Sequence, residues 1–219
     1  MATKTTKETT EDLAYIRQVS EAASGAPLLG GRFLVFWGSL VAAAWAAQWA
    51  ILSGAAGLGV QALGPMWLAF GVIGGLGQFA LVRSAARKPG QGTTGNRVST
   101  AVWTAGGFAL FSYAGAMIAA AALGRADQAM LDTILAVAFA VYAMAFVATA
   151  AASGAAWLRG FAALSFAGAG TVPFFLGEPV LYLISAVVVF LVAAVPGVIL
   201  LKREPASLPS NLSSGVATA

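Results

Sequence analysis

Apolar residues run through this chain in long unbroken blocks, separated by short polar breaks, without the alternating or amphipathic periods of a soluble domain. A helix needs roughly 20 apolar residues to cross the hydrocarbon core of a bilayer. The pattern predicts an all-α integral membrane bundle of six transmembrane helices, at Phe33–Leu52, Gly64–Val82, Val98–Leu123, about Met130–Ser153, Phe161–Leu176 and Pro179–Leu201. The fifth is the shortest and carries Pro173; the sixth is the most hydrophobic, with Val187 to Val192 forming one continuous apolar run. Core helices of a large soluble protein would still show a polar stripe or charged ends. These segments are apolar all round.

The blocks divide the chain into a cytoplasmic arm at residues 1–31, a membrane domain at 32–201 and a tail at 202–219 expected to be disordered. In the arm, Thr9 and Asp12 resemble a capping box, and Leu13, Ile16, Val19 and Ala23 recur near helical spacing opposite Glu11, Arg17 and Glu21. Ser24, Gly25 and Pro27 close this short amphipathic helix. We read it as lying on the headgroups or across the cytoplasmic mouth of the bundle; docking of a cytoplasmic partner is the alternative. The glycine-rich basic loop Ser84–Arg97 lacks the GxxxxGK[ST] order of a phosphate loop and reads as a linker.

Composition and charge fix the setting. The chain has 219 residues, 59% hydrophobic and 9% charged, against about a quarter charged in soluble domains. Lys and Arg gather on the cytoplasmic side of short loops. With both termini cytoplasmic, only Arg125 of the 12 Lys and Arg residues faces outward. The net charge of +4 then follows from orientation and from contact with anionic membrane lipids, without nucleic acid. The first 30 residues are polar and the first apolar block is full length, so no cleavable signal is predicted before it. The Ala- and Gly-rich composition suits a bacterial inner (plasma) membrane.

Small residues mark where helices approach closely. Gly71 and Gly75 form a GxxxG ridge on the second span, and Gly38, Ala42 and Ala46 line one face of the first. Gly106, Gly107 and Gly115 mark the third span, and Gly168 and Gly170 the fifth. Packing within the chain is the first expectation for these ridges, and homo-oligomer formation the second. The spans also fall into three hairpins, each opening near an Arg and a Trp (Arg32 and Trp37, Arg97 and Trp103, Arg159 and Trp157), although any membrane boundary attracts such pairs.

Candidate chemistry is sparse. An ionisable group at depth is the usual mark of a membrane site. Asp132 lies about one turn inside the outer end of the fourth span, and Glu178 precedes the sixth; both are expected at the interface. Gln78 is expected to be the most buried strongly polar side chain. With Tyr113 and Tyr142, and Asp132 at its mouth, it defines a candidate polar pathway. The chain has no His and no Cys, which removes Ser–His and Cys–His nucleophile pairs, haem ligation by His and zinc sites of the usual type. Its lysines, at 4, 7, 88 and 202, all fall outside the spans. No metal, cofactor or catalytic residue is predicted, and enzyme is the class the sequence favours least.

The run Asp12-Leu13-Ala14-Tyr15-Ile16-Arg17, followed by Gly30-Gly31-Arg32-Phe33-Leu34-Val35-Phe36-Trp37-Gly38, resembles the opening of uncharacterised small multi-span bacterial membrane proteins with a short N-terminal helix. The three-hairpin organisation is similar to membrane proteins of the HdeD type. Neither resemblance implies a functional site. Two functions are expected: a non-enzymatic scaffold, accessory subunit or regulator acting through helix contacts with a membrane or cytoplasmic protein partner or a second copy, or else a small transporter or channel for a neutral solute or lipid. The first is preferred, because proton-driven transporters usually keep a carboxylate near mid-membrane.

Overall fold

The computed structural model describes residues 27–204 other than 87 and 89, so the predicted arm helix and residues 205–219 of the predicted tail lie outside the described residues; the first three tail positions are ordered instead, Lys202 and Arg203 in the last helix and Glu204 in an ion pair with Arg32. All regular structure among the described residues is helical. Helix α1 is Gly31–Leu52; a 3-10 turn at Val60–Ala62 leads into α2, Leu63–Ala85. Then come α3, Thr94–Ala122, and α4, Gln128–Ser153. Helix α5, Leu158–Thr171, is prolonged by a 3-10 turn at Val172–Phe175. Last are α6, Val180–Val189, a π turn at Phe190–Ala194, and α7, Val195–Arg203, which follow one another without a break.

Local chemistry sets several of these boundaries. The Asp127 carboxylate accepts from the Met130 N–H at 2.8 Å and caps α4, and Gly154, with φ of 70°, ends it in the left-handed region. Pro173 has no N–H to continue an α-helical ladder, and α5 gives way to the tighter turn at that point. Pro196 likewise leaves the Val192 carbonyl without its usual donor, and the π turn lies directly before it.

Among the described residues, five segments are long and apolar enough to cross a membrane: Gly31–Leu52, Val60–Ala85, Thr94–Ala122, Gln128–Ser153 and Val180–Arg203. The expected span Phe161–Leu176 differs. Its α-helical part has 14 residues, short of the roughly 20 that a crossing needs.

Packing divides the helices into two tiers. Helix α1 lies along α6, the π turn and α7, while α4 sits between α3 and α5. The approach of α1 to the last segment is close. A Cβ on Gly38 would lie 2.6 Å from the Ala193 Cβ, and one on Gly197 would lie 2.7 Å from the Val35 nitrogen. Lipid offers no hydrophobic force to pull helices together, so this contact rests on close van der Waals fit. Trp45 of α1 meets Phe139 of α4 edge-on at 5.8 Å, joining both tiers in a core with Leu135, Val172, Leu181 and Val189.

Helices α2 and α3 flank this core. In their most apolar stretches 6% and 0% of residues are buried, against 50% in α4 and in Val180–Arg203. Leu68, Val72, Leu76 and Phe79 of α2 and Phe108, Phe111 and Ile118 of α3 are exposed.

Candidate functional site

The two ends of the bundle hold separate polar clusters. At the end carrying the α1–α2 and α3–α4 loops, Asp132 of α4 is fully buried. Its Oδ1 accepts from the Tyr182 hydroxyl at 2.6 Å and from Gln128 Nε2 at 2.8 Å, and its Oδ2 accepts from the Gly177 N–H at 2.8 Å. Gln128 Nε2 also lies 3.0 Å from the Tyr182 oxygen, to which it donates. Gln48 of α1, itself buried, lies beside the same hydroxyl and accepts from Trp67 Nε1 of α2 at 2.9 Å.

Each contributing element has a reason to be there. Gln128 and Asp132 are four residues apart, which puts them on one face of α4. Gly177, with φ of 83°, turns the chain between α5 and α6 so that its N–H points at the carboxylate. Tyr182 lies just inside the start of α6. Donors therefore converge on Asp132 from α4, from the turn and from α6, with Gln48 and Trp67 behind them. Among the described residues the ion pairs join Arg32 and Lys88 to Glu204 at the opposite end, so hydrogen-bond donors carry the electrostatic support of Asp132. Burial of a carboxylate is costly unless such donors accompany it.

Asp132, at a position along α4 that the sequence reads as interfacial, is thus enclosed by the protein. Depth along one helix does not reveal what folds over its end; the turn at Gly177 and the side chain of Tyr182 do so here. Gln78 also differs from expectation, being half-buried where Gln48 and Asp132 are buried. It accepts from Trp37 Nε1 at 2.9 Å across the α1–α2 contact. Tyr113 of α3 bonds to Thr133 Oγ1 of α4 at 2.8 Å, and Tyr142 meets Trp103 edge-on at 5.2 Å. Gln78, Tyr113, Tyr142 and Asp132 therefore each have their own partners and occupy separate contacts.

The glycines divide in the same way. Gly38 is packed against the π turn. Gly71 and Gly75 have nothing beyond the backbone of their own helix turn within 4 Å of where a Cβ would stand. The contact face of α2 is instead Gly74, under Trp37, and Gly77, under Phe36. Four glycines within seven residues gave the sequence no means of choosing between these two faces.

At the other end, Arg32 at the start of α1 pairs with Glu204 and donates to Ser84, and Lys88 lies 3.8 Å from Glu204. Asn96, at the start of α3, is buried; its Oδ1 accepts from the Leu29 N–H at 2.9 Å, and its Nδ2 donates to the Pro27 and Gly90 carbonyls at 3.0 Å. These bonds pin the chain entering α1 to the α2–α3 loop. Asn96, Gln128 and Tyr182 are the polar residues sequence reasoning passed over. Only the four-residue spacing of Gln128 and Asp132 offered a signal.

Two open grooves mark the sides of the bundle. One of about 380 Å³ runs between α1 and α6, past Ser39, Ala42, Ala46, Leu183, Val187 and Phe190. The other, of about 340 Å³, lies between α3 and α4 beside Val102, Gly106, Val141 and Met144. Both are lined almost wholly by apolar atoms. No family model, curated protein or solved structure matches the chain.

Proposed function

We propose that the chain is a six-span bacterial inner-membrane protein, with both termini cytoplasmic, that works without catalysis as a scaffold, accessory subunit or regulator through helix contacts in the bilayer. Eleven basic residues on the loops and termini of one side support the orientation. For the sixth crossing, α5 and its 3-10 turn together measure about 29 Å, at ~1.5 and ~2.0 Å per residue, close to the hydrocarbon thickness. They also return the chain from the end of α4 at Ser153 to the Asp132 end.

The observation that carries the helix-contact reading is the bare Gly71–Gly75 ridge on α2, edged by exposed Leu68, Val72 and Leu76. A GxxxG ridge lets two backbones approach where bulkier residues would hold them apart, and within this chain α2 spends a different pair of glycines on that task. The occupant is a membrane protein partner or a second copy. A photo-cross-linking residue placed at position 75 in intact membranes tests this. Capture of a polypeptide, absent when the probe sits at the exposed Ile73 on another face of α2, is the expected result; lipid adducts alone at both positions would contradict it.

A second reading, a lipid or neutral-solute path, draws on the α1–α6 groove, which is apolar and open sideways as a lipid path would be. The candidate pathway residues Gln78, Tyr113, Tyr142 and Asp132 are absent from its lining.

A further inference from the structure

The exposed sides of α1 and of the last segment form one continuous face. Within α1 only Ser39 and Ala43 are exposed, and both line the α1–α6 groove. On the other wall the exposed stripe of Val187, Leu191, Val195 and Val198 continues beyond the groove to Lys202, in steps of three or four residues that keep it on one side of the helix. A four-residue step in an α-helix overshoots a full turn by about 40°. The wider π turn at Phe190–Ala194 takes that drift back, so the stripe runs straight. Arg32 stands two turns before Ser39 on the same side of α1. Both walls of the groove therefore end in a basic residue.

The charges at that end do not cancel. Arg32 pairs with Glu204, and Lys88 lies 3.8 Å from the same carboxylate. Arg203 lies over the Trp157 ring at 5.5 Å, and Arg83 over the Phe79 ring at 4.2 Å. Lys202 is exposed, with no ion-pair or ring partner among the described residues. Glu204 is the one acidic residue at this end among the described residues, so positive charge is left over at the foot of an apolar groove. We propose that the groove is a binding site for an anionic phospholipid: an acyl chain lies between α1 and α6, and Lys202 meets the phosphate, with Arg32 and Lys88 behind it. Ser39 and Ala46 stand about 10 and 21 Å along α1 from Arg32, at ~1.5 Å per residue. One leaflet of the hydrocarbon core is about 15 Å deep, so a chain hung from a headgroup at Lys202 reaches into the groove. Lys and Arg at the membrane surface favour anionic headgroups, while the apolar lining suits the chain and offers a phosphate nothing. The inference is independent of the helix-contact reading, which concerns α2, and requires no movement of lipid through the groove.

Titration of the full chain, freed of lipid in mild detergent, with phosphatidylglycerol and with phosphatidylcholine of the same acyl chains tests the site. Binding of the first lipid is read from the mass of the intact complex. Phosphatidylglycerol should bind about fivefold more tightly, the advantage that one lysine gives near an anionic headgroup. Lys202→Gln should bring the two lipids level. Ser39→Leu/Ala43→Leu fills the groove from the α1 side and should weaken both lipids about fivefold through lost van der Waals contact. Arg159→Gln removes an exposed charge at the same end, on α5, which takes no part in the groove, and should change neither affinity. Equal affinity of the native chain for the two lipids would overturn the proposal whether or not the variants fold. So would a phosphatidylglycerol preference that survives in Lys202→Gln, or a filled groove that binds both lipids as the native chain does.

Discussion

Asp132 gathers three hydrogen bonds from groups 4, 45 and 50 positions away in sequence, and all three bonds are lost if the carboxylate is removed, that of the buried Tyr182 hydroxyl among them. Leaving a buried donor unpaired costs about 1–3 kcal/mol, more when a charged partner is lost. Asp132→Ala should therefore destabilise the fold by about 3 kcal/mol or more, measured as reversible unfolding in mixed micelles. Tyr182→Phe, which removes one bond and leaves the carboxylate two, should cost about 1–2 kcal/mol. Equal stability of Asp132→Ala and the native chain would mean that water replaces the protein donors. The sequence showed Asp132 as the one carboxylate inside a span. It hid the burial, because the residues that enclose Asp132 come from the far side of α5 in the chain.

Helix positions were largely legible, since apolar length and flanking polar residues determine them: the expected Phe33–Leu52 is Gly31–Leu52, and the expected Met130–Ser153 is Gln128–Ser153. The faces of those helices were not. Apolar all round, α2 has no amphipathic stripe to show which side meets α1, and the choice depends on where Phe36 and Trp37 of α1 fall. The two glycine faces should therefore respond in opposite ways to a larger side chain. A Cβ on Gly74 would lie 2.7 Å from the Trp37 ring, so Gly74→Val should cost about 1–3 kcal/mol through overpacking. Gly71→Leu enters open space and should change stability by no more than about 0.5 kcal/mol. Thermal unfolding of the two variants in the same detergent compares them directly. The short α5 was foreshadowed by Pro173, whose missing N–H ends the α-helical ladder, although the 3-10 turn that extends it was not readable from composition.

On the scale of the whole molecule, each end of the bundle is tied by its own polar cluster, Asp132 with its donors at one and Arg32 with Glu204 and Asn96 at the other. The middle is held by close small-residue contact between α1 and the last segment. Helices α2 and α3 join that frame on one side and leave most of their apolar surface bare. If the protein works through these faces, its functional unit is larger than one chain. The native mass of the protein, extracted gently with lipids retained, tests this most directly when compared with the double variant Gly71→Leu/Gly75→Leu. A second copy or a stoichiometric partner polypeptide is expected on the native chain, and a lone, folded chain for the double variant. A native chain that emerges alone with lipid, at the same mass as the variant, would contradict it.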